Sequence, residues 1–170
     1  MSKKDLKKYL RSLEKDNLEE QILELYDKFD IVRTYYNFAF NPKEDRLMGE
    51  AKFRISKEYF PEKHRKAKAR RSIAQNQVKH FLQLGVDASL IADLMLFNIE
   101  IAQTFSSDKH TIAESFSKSF FKSFEQAVFY IIQNEMTSEF MDRIYKIKDE
   151  SEVQKWPNQY QFEKLTDQFN

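Results

Sequence analysis

The residues best suited to acid–base chemistry or metal ligation are three histidines, His64, His80 and His110, and their spacing assembles no site. Neither His-Glu-x-x-His nor Glu-x-x-His occurs, the spacings that set ligands on one helix face. Around His80 the same-face positions are Asn76, Gln77, Gln83 and Leu84, and none is a carboxylate. His110 precedes Thr111, a helix-capping type, and His64 sits in a basic stretch. All three read as structural or surface histidines, so no metal is expected. Cysteine is absent, which removes disulfides, cysteine-type zinc sites and thiol nucleophiles. The glycines are Gly49 and Gly85 alone, so there is no Gly-rich phosphate loop, and no serine sits in a Gly-x-Ser-x-Gly elbow. The carboxylate pairs Glu19/Glu20 and Asp27/Asp30 lie in charge-alternating segments, which a solvated helix face explains. No catalytic residue and no cofactor is expected. Sites built from distant residues leave no motif, so the chain reads as a non-enzyme without that class being closed.

Three patterns do carry functional content. Lys63, Arg65, Lys66, Lys68, Arg70 and Arg71 place six cations in nine residues. Such a cluster gains counterion-release free energy on a polyanion, independent of base sequence. It lacks the interleaved aromatics that stack on single-stranded bases. The competing reading is a solvated loop, or one docked on the acidic surface of residues 87–145. The second pattern is Asn98, Glu100 and Gln103 on an otherwise apolar helix. A buried carboxylate needs a partner or shifts its pKa upward, so Glu100 is read first as a structural ion pair with an arginine and second as part of a cleft. The third is the run holding Tyr35, Tyr36, Phe38 and Phe40, too dense for one helix face to bury. A second core layer accounts for it, and an exposed interface is the alternative.

The elements that must position these residues are helices. Two glycines and three prolines in 170 residues cannot supply the positive-φ turns of a β-sandwich, whereas helices joined by short polar loops can do without them. Leu6, Tyr9, Leu10 and Leu13 share one face of a first segment. Leu18, Ile22, Leu25, Tyr26 and Phe29 form the inward stripe of a second, started by an Asn17/Glu20 capping pair. Asn41-Pro42 restarts the chain into a helix carrying Leu47, Ala51, Ile55 and Tyr59, which Pro61 ends. Ser72/Gln75 cap a helix with Ile73, Val78, Phe81 and Leu82 inward, closed by a left-handed Gly85. Asp87 caps a helix that is apolar almost all round and therefore central. Thr111/Glu114 open the longest helix, with the ladder Phe116, Phe120, Phe124, Ala127 and Ile131. Phe140, Ile144 and Ile147 mark a shorter helix, and after Trp156-Pro157 comes a short amphipathic one. The expectation is an all-α single domain over residues 1–170 of seven or eight helices in antiparallel pairs. It forms either a compact orthogonal bundle or a short helical-hairpin stack, with the tail 151–170 loosely attached.

Composition narrows the setting. The N-terminus is charged without a following apolar region, and no apolar run approaches the ~20 residues of a membrane span. A cytoplasmic location without membrane contact follows by elimination. A net charge of +1 conceals a dipole: residues 41–71 carry eleven Lys/Arg against five Asp/Glu, and residues 87–145 four against nine.

The stretches SKKDLKKYLRSLEKDNLEEQILELYDKFDIVRTYYNF, NPKED, ISKEYFP, KARRSIAQ and HFLQLGVDASLIADLMLFNIEIAQTF resemble a family of small bacterial proteins catalogued only as a domain of unknown function. The likeness runs to about residue 132 and implies a helical cytoplasmic protein, with no activity, cofactor or catalytic residue attached. The functional expectation is a non-enzymatic helical module that binds a protein partner or itself. A nucleic-acid-associated protein using residues 63–71 is the alternative, and an enzyme with a cleft around Glu100 the third reading.

Overall fold

Helix-forming sequence broken only at a few polar or Gly/Pro points gives an all-helical chain. The computed structural model describes residues 1–63, 65–109 and 112–169. His64, His110 and Thr111 thus lie outside the described residues. Among those described there are nine α-helices and one terminal 3-10 turn, and no strand, slightly more helices than the seven or eight expected. The chain divides into two compact units, residues 1–43 and 44–170.

The first unit holds α1 (Lys3–Arg11), α2 (Lys15–Lys28) and α3 (Asp30–Phe40). A Ser2/Asp5 capping box starts α1: the Asp5 N–H donates to Ser2 Oγ at 3.2 Å and the Ser2 N–H to Asp5 Oδ2 at 2.9 Å. The helix after it starts at Lys15 rather than at an Asn17 cap, and Asn41 ends α3 instead of starting the next helix. Gln21 Nε2 donates to the Tyr9 hydroxyl at 2.8 Å, and the Tyr26 hydroxyl to Asn37 Oδ1 at 3.2 Å. None of the three helices contains a buried residue. The expected inward stripe of α2 is therefore corrected: Leu18 and Tyr26 are half-buried, while Ile22, Leu25 and Phe29 are exposed.

The second unit comprises α4 (Glu44–Tyr59), α5 (Arg71–Leu84), α6 (Ala88–Ser106), α7 (Glu114–Gln133), α8 (Thr137–Val153) and α9 (Gln159–Thr166). Apolar on most sides, α6 is covered by α4, α5, α7 and α8, and Ile91, Leu94, Leu96 and Ile99 are fully buried. By length and composition alone α6 could cross a membrane, contrary to the run-length expectation. Its four packed neighbours account for that apolarity as core. Gly85 ends α5 at φ 72°, and Asp87 Oδ1 accepts from the Ser89 N–H at 2.8 Å. No Ser72 cap forms, because α5 begins at Arg71. Leu82, expected inward, is exposed. The tail 151–170, expected to be loose, contributes core: Trp156 packs edge-on to Phe116, Phe120 and Phe162 at 5.9, 6.5 and 5.7 Å, and its indole N–H donates to Gln154 Oε1 at 3.0 Å.

Candidate functional site

Residues 61–70 contain no apolar side chain larger than proline, so nothing drives their burial. Polar bonds hold them instead. The last carbonyls of an α-helix lack internal partners, and the Glu58 carbonyl near the end of α4 accepts from the Lys68 and Ala69 N–H groups at 3.0 and 2.9 Å. Arg70 then grips the Glu58 carboxylate in a bidentate pair, Nε to Oε2 and Nη2 to Oε1, both 2.8 Å. That hydrogen-bonded guanidinium holds the Glu58 carboxyl below its ordinary value, against a smaller upward push from burial. Lys63 and Ala69 adopt left-handed backbone, φ 58° and 47°, which costs non-glycine residues about 1–2 kcal/mol each. The two capping bonds and the bidentate pair offset it at Ala69.

The pinned loop encloses a concavity of about 300 Å³. Its wall includes two carboxylates, both engaged: Glu58 by Arg70, and Glu62 by Lys57 at 3.4 Å. Lys63, Arg65, Lys66 and Lys68 also line it, are exposed, and make no ion pair among the described residues.

The six expected cations thus separate into two groups. Lys63, Arg65, Lys66 and Lys68 face solvent, whereas Arg70 and Arg71 are bound into the fold. Arg71 opens α5 and leans on α7, donating from Nη2 to Gln126 Oε1 at 3.3 Å, and its buried Nε has no hydrogen-bond partner among the described residues. Burial pulls the Arg71 pKa down. The docking partner of Arg70 is Glu58 of α4, outside the acidic stretch 87–145.

Asn98, Glu100 and Gln103 do not open into one cleft. Arg143 of α8 takes the Glu100 carboxylate in two bonds of 2.8 Å and reaches Asp93 Oδ1 at 2.7 Å, while Lys52 of α4 holds Asp93 Oδ2 at 2.7 Å. Four charged side chains thereby tie α4, α6 and α8. Burial pushes the Asp93 carboxyl up, but the hydrogen bonds and charges of Lys52 and Arg143 outweigh it and the net shift is downward. Gln103 is buried and donates to the Ile147 carbonyl at 2.8 Å. Asn98 accepts from the Tyr59 hydroxyl at 3.4 Å, a phenol that burial keeps protonated by raising its pKa. Asn98 also borders a groove of about 270 Å³ walled by Val78, Leu82 and Met95.

In the first unit, Phe40 is 84% exposed and Tyr35 is exposed, with Tyr36 and Phe38 half-buried. Tyr36 stacks on Phe40 at 6.1 Å and meets Tyr35 edge-on at 5.5 Å. Sequence reasoning missed Glu58, which grips Arg70, and Arg143, Asp93 and Lys52, which complete the network around Glu100. Each is one of many charged helix positions, and only the fold selects it. Among the described residues no group of three or more His, Asp or Glu is placed to hold a metal ion.

No curated protein and no solved structure matches the chain. The family model that does match spans residues 1–170, past the limit near residue 132 suggested by the quoted stretches. The chain belongs to the family of unknown function DUF6155.

Proposed function

We propose that this protein is a non-enzymatic helical interaction module, and that its N-terminal helices bind another protein chain. The observation that carries the proposal is the absence of any buried residue in α1–α3, although the unit is rich in large apolar side chains. Leu23 is 63% exposed, Ile31 60% and Phe40 84%. Large apolar side chains left uncovered in this number favour a protein interface, and aromatic residues supply much of the binding energy in such interfaces.

Charge favours a second copy of the chain as the occupant. Residues 3–11 carry five Lys/Arg and one Asp, and residues 14–30 carry two Lys and seven Asp/Glu. A basic α1 facing the acidic α2 of another copy is complementary in both directions, as a two-fold interface requires. Amide hydrogen exchange at low and high protein concentration tests the reading. Protection of residues 3–40 rises with concentration if these helices pair between chains, and Leu23→Gln/Ile31→Gln/Phe40→Gln removes that rise. Exchange that ignores concentration, with no protein partner protecting the same helices, would refute it.

A further inference from the structure

We infer that the concavity at the end of α4 is a binding site for a compact oligophosphate, either free or as the phosphate tail of a larger molecule. Lys63, Arg65, Lys66 and Lys68 are brought together around about 300 Å³ although like charges repel. In an unconstrained loop that repulsion would spread them apart. Here the loop is tied back to α4 where it returns: the Lys68 and Ala69 N–H groups are bonded to the Glu58 carbonyl, and Arg70 is locked on its carboxylate. The carboxylates nearby are paired with Arg70 and Lys57, and Glu58 acts on Lys68 only as a weak charge at a distance. The left-handed backbone at Ala69 sits within those bonds, and residues held this way concentrate at ligand sites.

The shape and lining choose among polyanions. Four cations around one hollow exceed what a single phosphate group meets, and they match a chain of linked phosphates. Among the described residues the wall contains no aromatic side chain, and its cations address phosphates rather than base faces. A hollow of this volume does not admit a duplex, which would lie across the rim and touch fewer of the cations. This site belongs to the second unit and stands independently of the interface proposed for α1–α3.

Isothermal titration with sodium triphosphate, ATP and a mixed-sequence DNA duplex tests the assignment. The comparison is between the wild type, Arg65→Gln/Lys66→Gln/Lys68→Gln, and the surface control Arg46→Gln, a residue paired with Glu50 outside the hollow. Triphosphate and ATP should bind the wild type and the control alike, more weakly as salt rises. The triple variant should lose about tenfold or more in affinity, as expected for three exposed ion pairs. The charge-conserving variant Arg65→Lys/Lys66→Arg/Lys68→Arg should retain binding, which a merely structural defect would not allow. Equal affinity for triphosphate and ATP would place all recognition on the phosphates, and tighter ATP binding would extend the site to the nucleoside. Absence of triphosphate binding, undiminished binding by the triple variant, or binding of duplex alone would each overturn the inference.

Discussion

Replacing Arg143 by methionine should destabilise the second unit by about 2 kcal/mol. Arg143 makes two bonds to the Glu100 carboxylate and one to the Asp93 carboxylate, all between 2.7 and 2.8 Å. Methionine preserves much of the aliphatic packing and removes the charge. Breaking a fully buried pair by deleting one partner costs about 3–5 kcal/mol, because the other charge is stranded. This pair is not fully buried: the Arg143 side chain is 31% exposed and Glu100 34%, so Glu100 recovers part of its hydration. Asp93 also keeps Lys52 at 2.7 Å. Both facts reduce the penalty to roughly half. For a chain of this length that loss corresponds to a melting-temperature drop of about 4–8 °C. The only tryptophan, Trp156, is buried in the same unit, and its fluorescence reports the melt. The effect should also titrate. Asp93 has a folded pKa below its ordinary 3.8, so its contribution is fully present above that value and is lost as pH falls through the depressed folded value. The difference between wild type and variant should therefore shrink below about pH 4. A variant melting within about 1 °C of wild type, or a gap as wide at pH 3 as at pH 7, would refute the reasoning.

Gly85→Ala should cost about 1 kcal/mol in chemical denaturation. The whole cost is backbone, since an added Cβ meets nothing within 4 Å and φ is 72°; an unchanged midpoint would contradict it. Leu94→Ala and Phe120→Ala should each cost about 2–5 kcal/mol, because both side chains are buried in the centre of the second unit. A cost below about 1 kcal/mol at both positions would remove α6 and α7 from the core.

Local chemistry explains which parts of this fold could be read in advance. Gly85 and Asp87 were legible because a positive φ and a cap impose residue types within a few positions. The centrality of α6 was legible because a helix without a polar face must be covered. Capping pairs were less dependable: Ser/Asn followed by Glu/Gln is common in a charged helical sequence, and at Asn17 and Ser72 the helices start earlier. Inward stripes in α1–α3 could not be placed, since periodicity shows an apolar face and not whether anything covers it. The basic stretch was visible as charge, but which arginines belong to the fold depended on Glu58 and Gln126, twelve and 55 residues away. Glu100 was recognisable as needing a partner, while the partner, 43 residues distant, is a matter of tertiary packing.

The most direct test of the proposed role is sedimentation equilibrium of the full chain over a wide range of concentration. The mean mass should rise from one chain toward two, with the rise weakened by salt and abolished by Leu23→Gln/Ile31→Gln/Phe40→Gln while the melting of the second unit is unchanged. A mass of one chain at every concentration, in a protein whose N-terminal helices also take up no other protein, would contradict it.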